Sequence, residues 1–176
     1  MSRSTDVALA LALAIVWLGG ALLFPRALEP GRSEGNGIVL NLLVDKGDGS
    51  KANDWYTGTT TLRSELSEGS LRLESHDSGL QIFSRPLAVF AGECYAAVVH
   101  GREIAGTSQL VVTDEEVRTA VSGIRLTPSA DRTDWRLVFG SGRLRRVTIV
   151  LLGQEENVLE LDQVALQRVG GGAGCG

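Results

Sequence analysis

The residues able to do chemistry are few here, and their spacing is poor for it. Ser75-His76-Asp77 contains the three residue types of a hydrolytic triad. They are contiguous, whereas a nucleophile, its base and the orienting carboxylate meet from separate parts of a fold. Glu115-Glu116 and Asp131/Asp134 are carboxylate pairs. The acid and base of a glycosidase are spaced by folding rather than by adjacency, so a solvated loop is the better reading of both. His76 and His100 lack the spacing of a metal site. Arg143, Arg145 and Arg146 form a small basic patch before a strand, of a kind that could meet an anionic polymer or lipid headgroups. A solubilising turn is the better reading of that patch too. The chain is not expected to be an enzyme.

Bulk properties narrow the classes further. Cys94 and Cys175 are too few for a disulfide framework, and neither has a neighbour at metal-ligand spacing. In an oxidising compartment Cys175 would be free to pair with another chain. The formal net charge is −4 over 176 residues, so no global basic field draws the protein to nucleic acid. Aromatic residues make up only 5% of the chain, which leaves little material for ring-based recognition.

The elements that would position these residues begin after a polar N-terminal segment, residues 1–6. Val7 to Phe24 carries no charge and is rich in Leu and Ala. Its length is close to the ~20 residues that span a bilayer as a helix, and exceeds the roughly 7–15 of a signal-peptide core. It is apolar on all sides, unlike a core helix with one buried stripe. Phe24-Pro-Arg-Ala-Leu follows it, which is a poor cleavage site, and no cysteine follows at once to carry a lipid. Residues 7–24 are therefore expected to be an uncleaved transmembrane signal anchor. Arg3 before the run and Arg26 and Arg32 after it leave the positive-inside count undecided. A C-terminal domain outside the cytoplasm, periplasmic or extracellular, follows the usual layout of an anchored envelope protein. Residues 25–37, with Pro25, Pro30, Gly31, Gly35 and Gly37 among charges, read as a linker.

From Ile38 onward the pattern is that of short strands between turns. Ile38 to Val44 is an apolar run, and Leu71 and Leu73 alternate with Arg72 and Glu74 as in a half-buried strand. Pro86 between Leu80–Phe83 and Leu87–Phe90 marks an edge or bend. Cys94–His100, Ser108–Val112, Ala120–Leu126, the stretch through Trp135 to Phe139, Arg146–Leu152 and Asn157–Val169 complete about ten strands, at the spacing of a β-sandwich. In the last of them Val158, Glu160, Asp162, Val164 and Leu166 are expected on one side, with Leu159, Leu161, Gln163, Ala165 and Gln167 on the other. Residues 170–176, nearly all glycine, read as a flexible tail.

The order of these pieces resembles the jelly-roll carbohydrate-binding modules with a galactose-binding-like fold. Asn41-Leu-Leu-Val-Asp-Lys-Gly-Asp followed by Trp55 is similar to their opening, and Gly69-Ser-Leu-Arg-Leu73 to their second strand. Arg85-Pro-Leu-Ala-Val-Phe-Ala-Gly-Glu-Cys-Tyr95 is similar to the passage into a central strand. Thr133-Asp-Trp135-Arg-Leu-Val-Phe139 and Val158-Leu-Glu-Leu-Asp162-Gln-Val-Ala-Leu166 are similar to the closing segments. The Phe-Glu of the family's opening is absent, replaced by Asp48-Gly49. The resemblance implies a jelly-roll β-sandwich over residues 38–169, and a structural calcium held by Asp45 or Asp48 together with Asp162. A hard cation of that kind needs several oxygens brought together by folding. It further implies Trp55 and Trp135 in or at the rim of the core. Phe83, Phe90 and Phe139 fall on strand patterns and read as buried. Tyr56 is then the candidate sugar platform and Arg102 its polar partner.

The expectation is an all-β, single-span membrane protein that presents a non-catalytic carbohydrate-binding-module-like domain in the cell envelope, its ligand a glycan or polysaccharide. The alternative is a structural or assembly domain that contacts a partner protein in an envelope complex.

Overall fold

Cys94–Asp114 and Arg146–Gly170, rich in β-branched and apolar residues, form strands of 21 and 25 residues that pair antiparallel along their whole length. The sequence pattern divides each into two strands, but the polypeptide runs on through both. The computed structural model describes residues 37–45, 53–170 and Cys175. The expected anchor over 7–24, the linker up to residue 36 and Asp48 lie outside these residues. No helix among the described residues is long and apolar enough to cross a membrane.

Eleven strands make one sheet. In order they are β1 (Gly37–Leu40), β2 (Val44–Asp45), β3 (Trp55–Thr57), β4 (Thr61–Ser67), β5 (Ser70–Ser75) and β6 (Gly79–Ser84). Then come β7 (Leu87–Ala88), β8 (Cys94–Asp114), β9 (Ala120–Leu126), β10 (Thr133–Gly140) and β11 (Arg146–Gly170). All pairs are antiparallel except β2 with β3. The first half of β11 pairs with β6 and β7, and the second half with β5 and β1. The free edge of β8 takes β10 along its first half and β9 along its second. The long β8–β11 ladder thus belongs to both layers of a β-sandwich folded from one sheet.

The fold-over lies where the ladder's register breaks, between Gln154 and Val158 on β11 and opposite Gly106 on β8. Gly106 has φ +72°, and a Cβ there would run into the Glu156 carbonyl and Asn157, so only glycine fits. A second bulge, between Leu161 and Gln163, corrects the expected facing. Leu159 and Leu161 are buried, and beyond the bulge so are Val164 and Leu166. The extra residue, Asp162, switches the alternation that a regular strand would have kept.

One core joins both layers. It contains Trp55, Ile82, Leu110, Val112, Ile149 and Leu151 from one, and Leu71, Leu73, Val99, Leu137, Leu159 and Leu161 from the other. Trp55, Trp135 and Phe139 are buried as expected. Phe90 is not: β7 stops at Ala88, and the Phe90 ring is 68% exposed.

Cys175 is not left for another chain. It is bonded to Cys94, with Cα atoms 5.8 Å apart. Gly140 pairs with Cys94 and lies against the Cys175 side chain, where a Cβ would meet it in ordinary van der Waals contact. The disulfide points to an oxidising, extracytoplasmic compartment.

The fold-over also buries polar groups. Glu103 is 1% exposed, on the side of β8 that carries Ala97 and Val99. Asn157 Nδ2 donates to Ser108 Oγ at 2.6 Å, Ser108 Oγ donates to Glu103 Oε1 at 3.2 Å, and Gln81 Nε2 donates to Asn157 Oδ1 at 2.7 Å. Glu103 Oε2 and Gln81 Oε1 find no partner. Burial pushes the Glu103 carboxyl up to about 7, against the hydrogen bonds from Ser108 and Asn157 that lower it.

Two outcomes are expected. Between the unfolded carboxyl's value of 4.5 and about 7 the native state holds the extra proton, so stability falls as pH rises through that window. Glu103→Gln should remove that fall, which is on the order of 3 kcal/mol. Urea unfolding of both proteins on either side of the window checks it, and identical pH profiles would refute it. Cys175→Ser opens a link spanning 81 residues and should lower stability by about 2–4 kcal/mol, read as a drop in thermal midpoint.

Candidate functional site

Strand register places an aromatic and apolar row across the outer face of the layer built on β6 and the first half of β11. Tyr56 stands beside Phe83, Phe83 beside Val150, Val150 beside Val111, and Val111 beside Gly123. The Tyr56 and Phe83 rings stack, with centroids 5.3 Å apart and planes at 29°. Tyr56 is 38% exposed and Phe83 half-buried. The Trp55 beside Tyr56 points the other way, into the core, because successive residues of a strand face opposite sides. The two stacked rings offer a flat surface of the type that covers a pyranose ring, while Val150 and Val111 beside them are buried, so the accessible surface is the ring pair.

A charged row crosses the outer face of the other layer. Glu65, Arg72, Glu160 and Arg102 stand side by side on β4, β5, β11 and β8. Glu160, 13% exposed in its side chain, accepts from Arg102 Nε at 2.7 Å and from Arg72 Nη1 at 3.2 Å. The Arg102 guanidinium holds the Glu160 carboxyl below the usual range, with Arg72 adding to the effect. Arg132 bridges to the next row, 2.9 Å from Asp162 and 3.9 Å from Glu160. In that row Ser70 Oγ donates to Asp162, and His100 Nδ1 lies 2.7 Å from Asp134. Ser70, Arg72, Arg102, Arg132 and Glu160 line a recess of about 280 Å³ with Glu65, Ser67 and Glu68.

The structure therefore separates the two expected sugar contacts. Tyr56 and Arg102 lie on the outer faces of different layers, and Arg102 is committed to Glu160. The expected calcium ligands fare similarly. Asp45 is on β2, in the layer opposite the half of β11 that carries Asp162. Asp162 already has Arg132 against its carboxylate and a hydroxyl from Ser70. A cation at Asp162 would have to displace a guanidinium, so Asp45 and Asp162 do not converge on a shared calcium, and Asp48 lies outside the described residues. Among the described residues no group of three or more His, Cys, Asp or Glu is placed to hold a metal.

Ser70, Asp162, His100 and Asp134 are of the three residue types familiar from hydrolases, but the serine bonds to a carboxylate and not to the imidazole. Sequence reasoning missed Phe83 as a surface ring, Glu160 and Arg132 as partners, and Glu103. The last had a signal: a lone acid on the apolar side of a central strand.

No protein-family model matches the chain, and no curated protein does. Solved structures do. A carbohydrate-binding module of family CBM4 superposes with a TM-score of 0.56 at 11% identity, covering 65% of this chain and 86% of that one. The xylan-binding module CBM15 gives 0.54 at 10% identity, over 78% of this chain and 100% of that one. The CBM22-1 xylan-binding domain from Paenibacillus barcinonensis gives 0.51 at 14%, over 80% and 100%. The likeness is one of fold. It shows the β-sandwich of non-catalytic carbohydrate-binding modules, and it carries no site residue across at these identities.

If the charged row holds the strands β5, β11 and β8 in register, Arg102→Ala should cost about 1 kcal/mol of stability. Thermal unfolding at low and high salt checks it. A midpoint that does not move at low salt would mean that the row is screened and structurally idle.

Proposed function

We propose that this chain is a membrane-anchored, non-catalytic carbohydrate-binding domain of the cell envelope. A glycan or polysaccharide would lie across Tyr56 and Phe83 on a jelly-roll sandwich. The stacked Tyr56–Phe83 ring pair on the outer sheet face is the observation that carries this reading. Rings on a sheet face offer area at low entropic cost, and hydroxyls at the rim can turn to water or protein. The fold shared with carbohydrate-binding modules supports it, and because two of those are xylan-binding, xylan is the first ligand to try. The Cys94–Cys175 disulfide agrees with an envelope location, and the uncharged run over residues 7–24 supplies the anchor.

A second reading, an assembly domain that binds a partner protein, rests on β4. This strand pairs only with β5 and carries Leu62 and Leu66, which are 60% and 45% exposed. An edge with exposed apolar side chains is a ready surface for a protein partner.

The detergent-solubilised chain on a glycan array, with xylan included, separates the two. Selective binding is expected, weakened about tenfold in Tyr56→Ala at unchanged melting temperature, since a ring contact of this kind contributes ~1 kcal/mol beyond its area. Silence across the array would move the weight to the β4 edge.

A further inference from the structure

Phe90 and the basic turn at Arg143–Arg146 meet at one end of the sandwich. The loop that carries Phe90 is held tightly. Phe90 N–H donates to Tyr95 Oη at 2.8 Å, Ser141 Oγ donates to the Phe90 carbonyl at 2.7 Å, and Gly92 N–H donates to the Gly142 carbonyl at 2.7 Å. Val89 N–H donates to the Arg145 carbonyl at 2.9 Å. These bonds tie the two loops together while the Phe90 ring stands in solvent. Arg168 lies over that ring, 5.3 Å from its centroid, and pairs with Glu93 at 2.8 Å.

The neighbouring acids are already engaged. Glu115 pairs with Arg146 at 3.7 Å, Glu116 with Arg118 at 2.9 Å, and Asp114 accepts the Arg118 N–H at 2.8 Å. Arg143 and Arg145 are exposed and have no ion-pair partner among the described residues. An exposed ring fixed beside uncompensated guanidinium groups is the composition that anionic lipid surfaces take: an aromatic for the interface and cations for the phosphates.

The path of the chain points to the same surface. Gly37 pairs with Gln167, the neighbour of Arg168, so β1 begins at the Phe90 end. Residues 25–36 separate it from the apolar run and reach at most about 40 Å when extended. We propose that this end of the sandwich docks on anionic lipid headgroups, with Phe90 entering the interface and Arg143 and Arg145 meeting phosphates. The proposal rests on the anchor reading of residues 7–24. Docking would hold the domain in one orientation on the membrane rather than let it swing on its linker.

The test uses the full chain in vesicles of brominated phosphatidylcholine, with and without phosphatidylglycerol. Trp55 and Trp135 are buried in the core, so lipid quenching in the parent reports Trp17 in the apolar run, and extra quenching in Phe90→Trp reports the docked loop. The expected result is parent quenching in both vesicles, with extra quenching in Phe90→Trp only where phosphatidylglycerol is present. Adding Arg143→Ala and Arg145→Ala should lower the docked-to-undocked ratio about fivefold per arginine. Parent quenching with no extra quenching in Phe90→Trp would overturn docking and leave the anchor standing. Extra quenching without the parent's would keep docking and remove the anchor, and quenching of neither would overturn both. An emission shift in Phe90→Trp on adding a soluble anionic polysaccharide, with no lipid quenching, would reassign the patch to glycan and overturn the lipid proposal.

Discussion

Everything in this domain depends on two very long strands staying hydrogen-bonded to each other while they fold over. β8 and β11 satisfy one edge of each other's backbone from Cys94 to Asp114, and every strand of the sandwich docks directly or through a neighbour on their outer edges. A straight ladder of that length would leave one face of a flat sheet open to water. Bending it at Gly106 closes the face on itself and lets the two halves share one apolar core. The bend leaves backbone and side-chain groups that must be paired away from water, which explains why Glu103, Ser108, Asn157 and Gln81 gather there.

The fold-over gives the molecule two outer faces of opposite chemistry. On one, rings and small apolar residues follow the register from Tyr56 to Gly123. On the other, arginines and carboxylates alternate from Glu65 to Arg102. The second face is largely self-satisfied, because Arg72, Arg102 and Arg132 converge on Glu160 and Asp162. A row whose charges are spent on one another mainly fixes strand positions, and its attraction for a ligand is small. The first face keeps its Tyr56–Phe83 ring pair accessible.

The ends of the ladder are treated differently again. The Cys94–Cys175 disulfide ties the chain's last segment to the start of β8, against Gly140. Phe90, Arg168 and the 141–145 loop surround that end, next to the first residue of β1. A rigid end beside the point where the chain enters the domain is well placed to control how the two faces are presented.

The sequence by itself determined the all-β class and most strand positions, because alternation such as Leu71/Arg72/Leu73/Glu74 has a period that only a half-buried strand satisfies. The family resemblance implied Trp55 and Trp135 in or at the rim of the core, where the structure buries both. Tertiary structure decided the rest, for reasons local pattern cannot carry. A bulge at Asp162 reversed the facing of Val164 and Leu166, since one inserted residue is invisible in composition and changes everything after it. Arg102 is engaged by Glu160, 58 residues away, which reaches it only through strand pairing. Phe90 faces solvent because its backbone is captured by Tyr95 and Ser141, and Cys175 found Cys94 because the ladder's end brought them within bonding distance. Periodicity reports which side of an element is buried, while only the pairing of distant strands decides which polar groups meet.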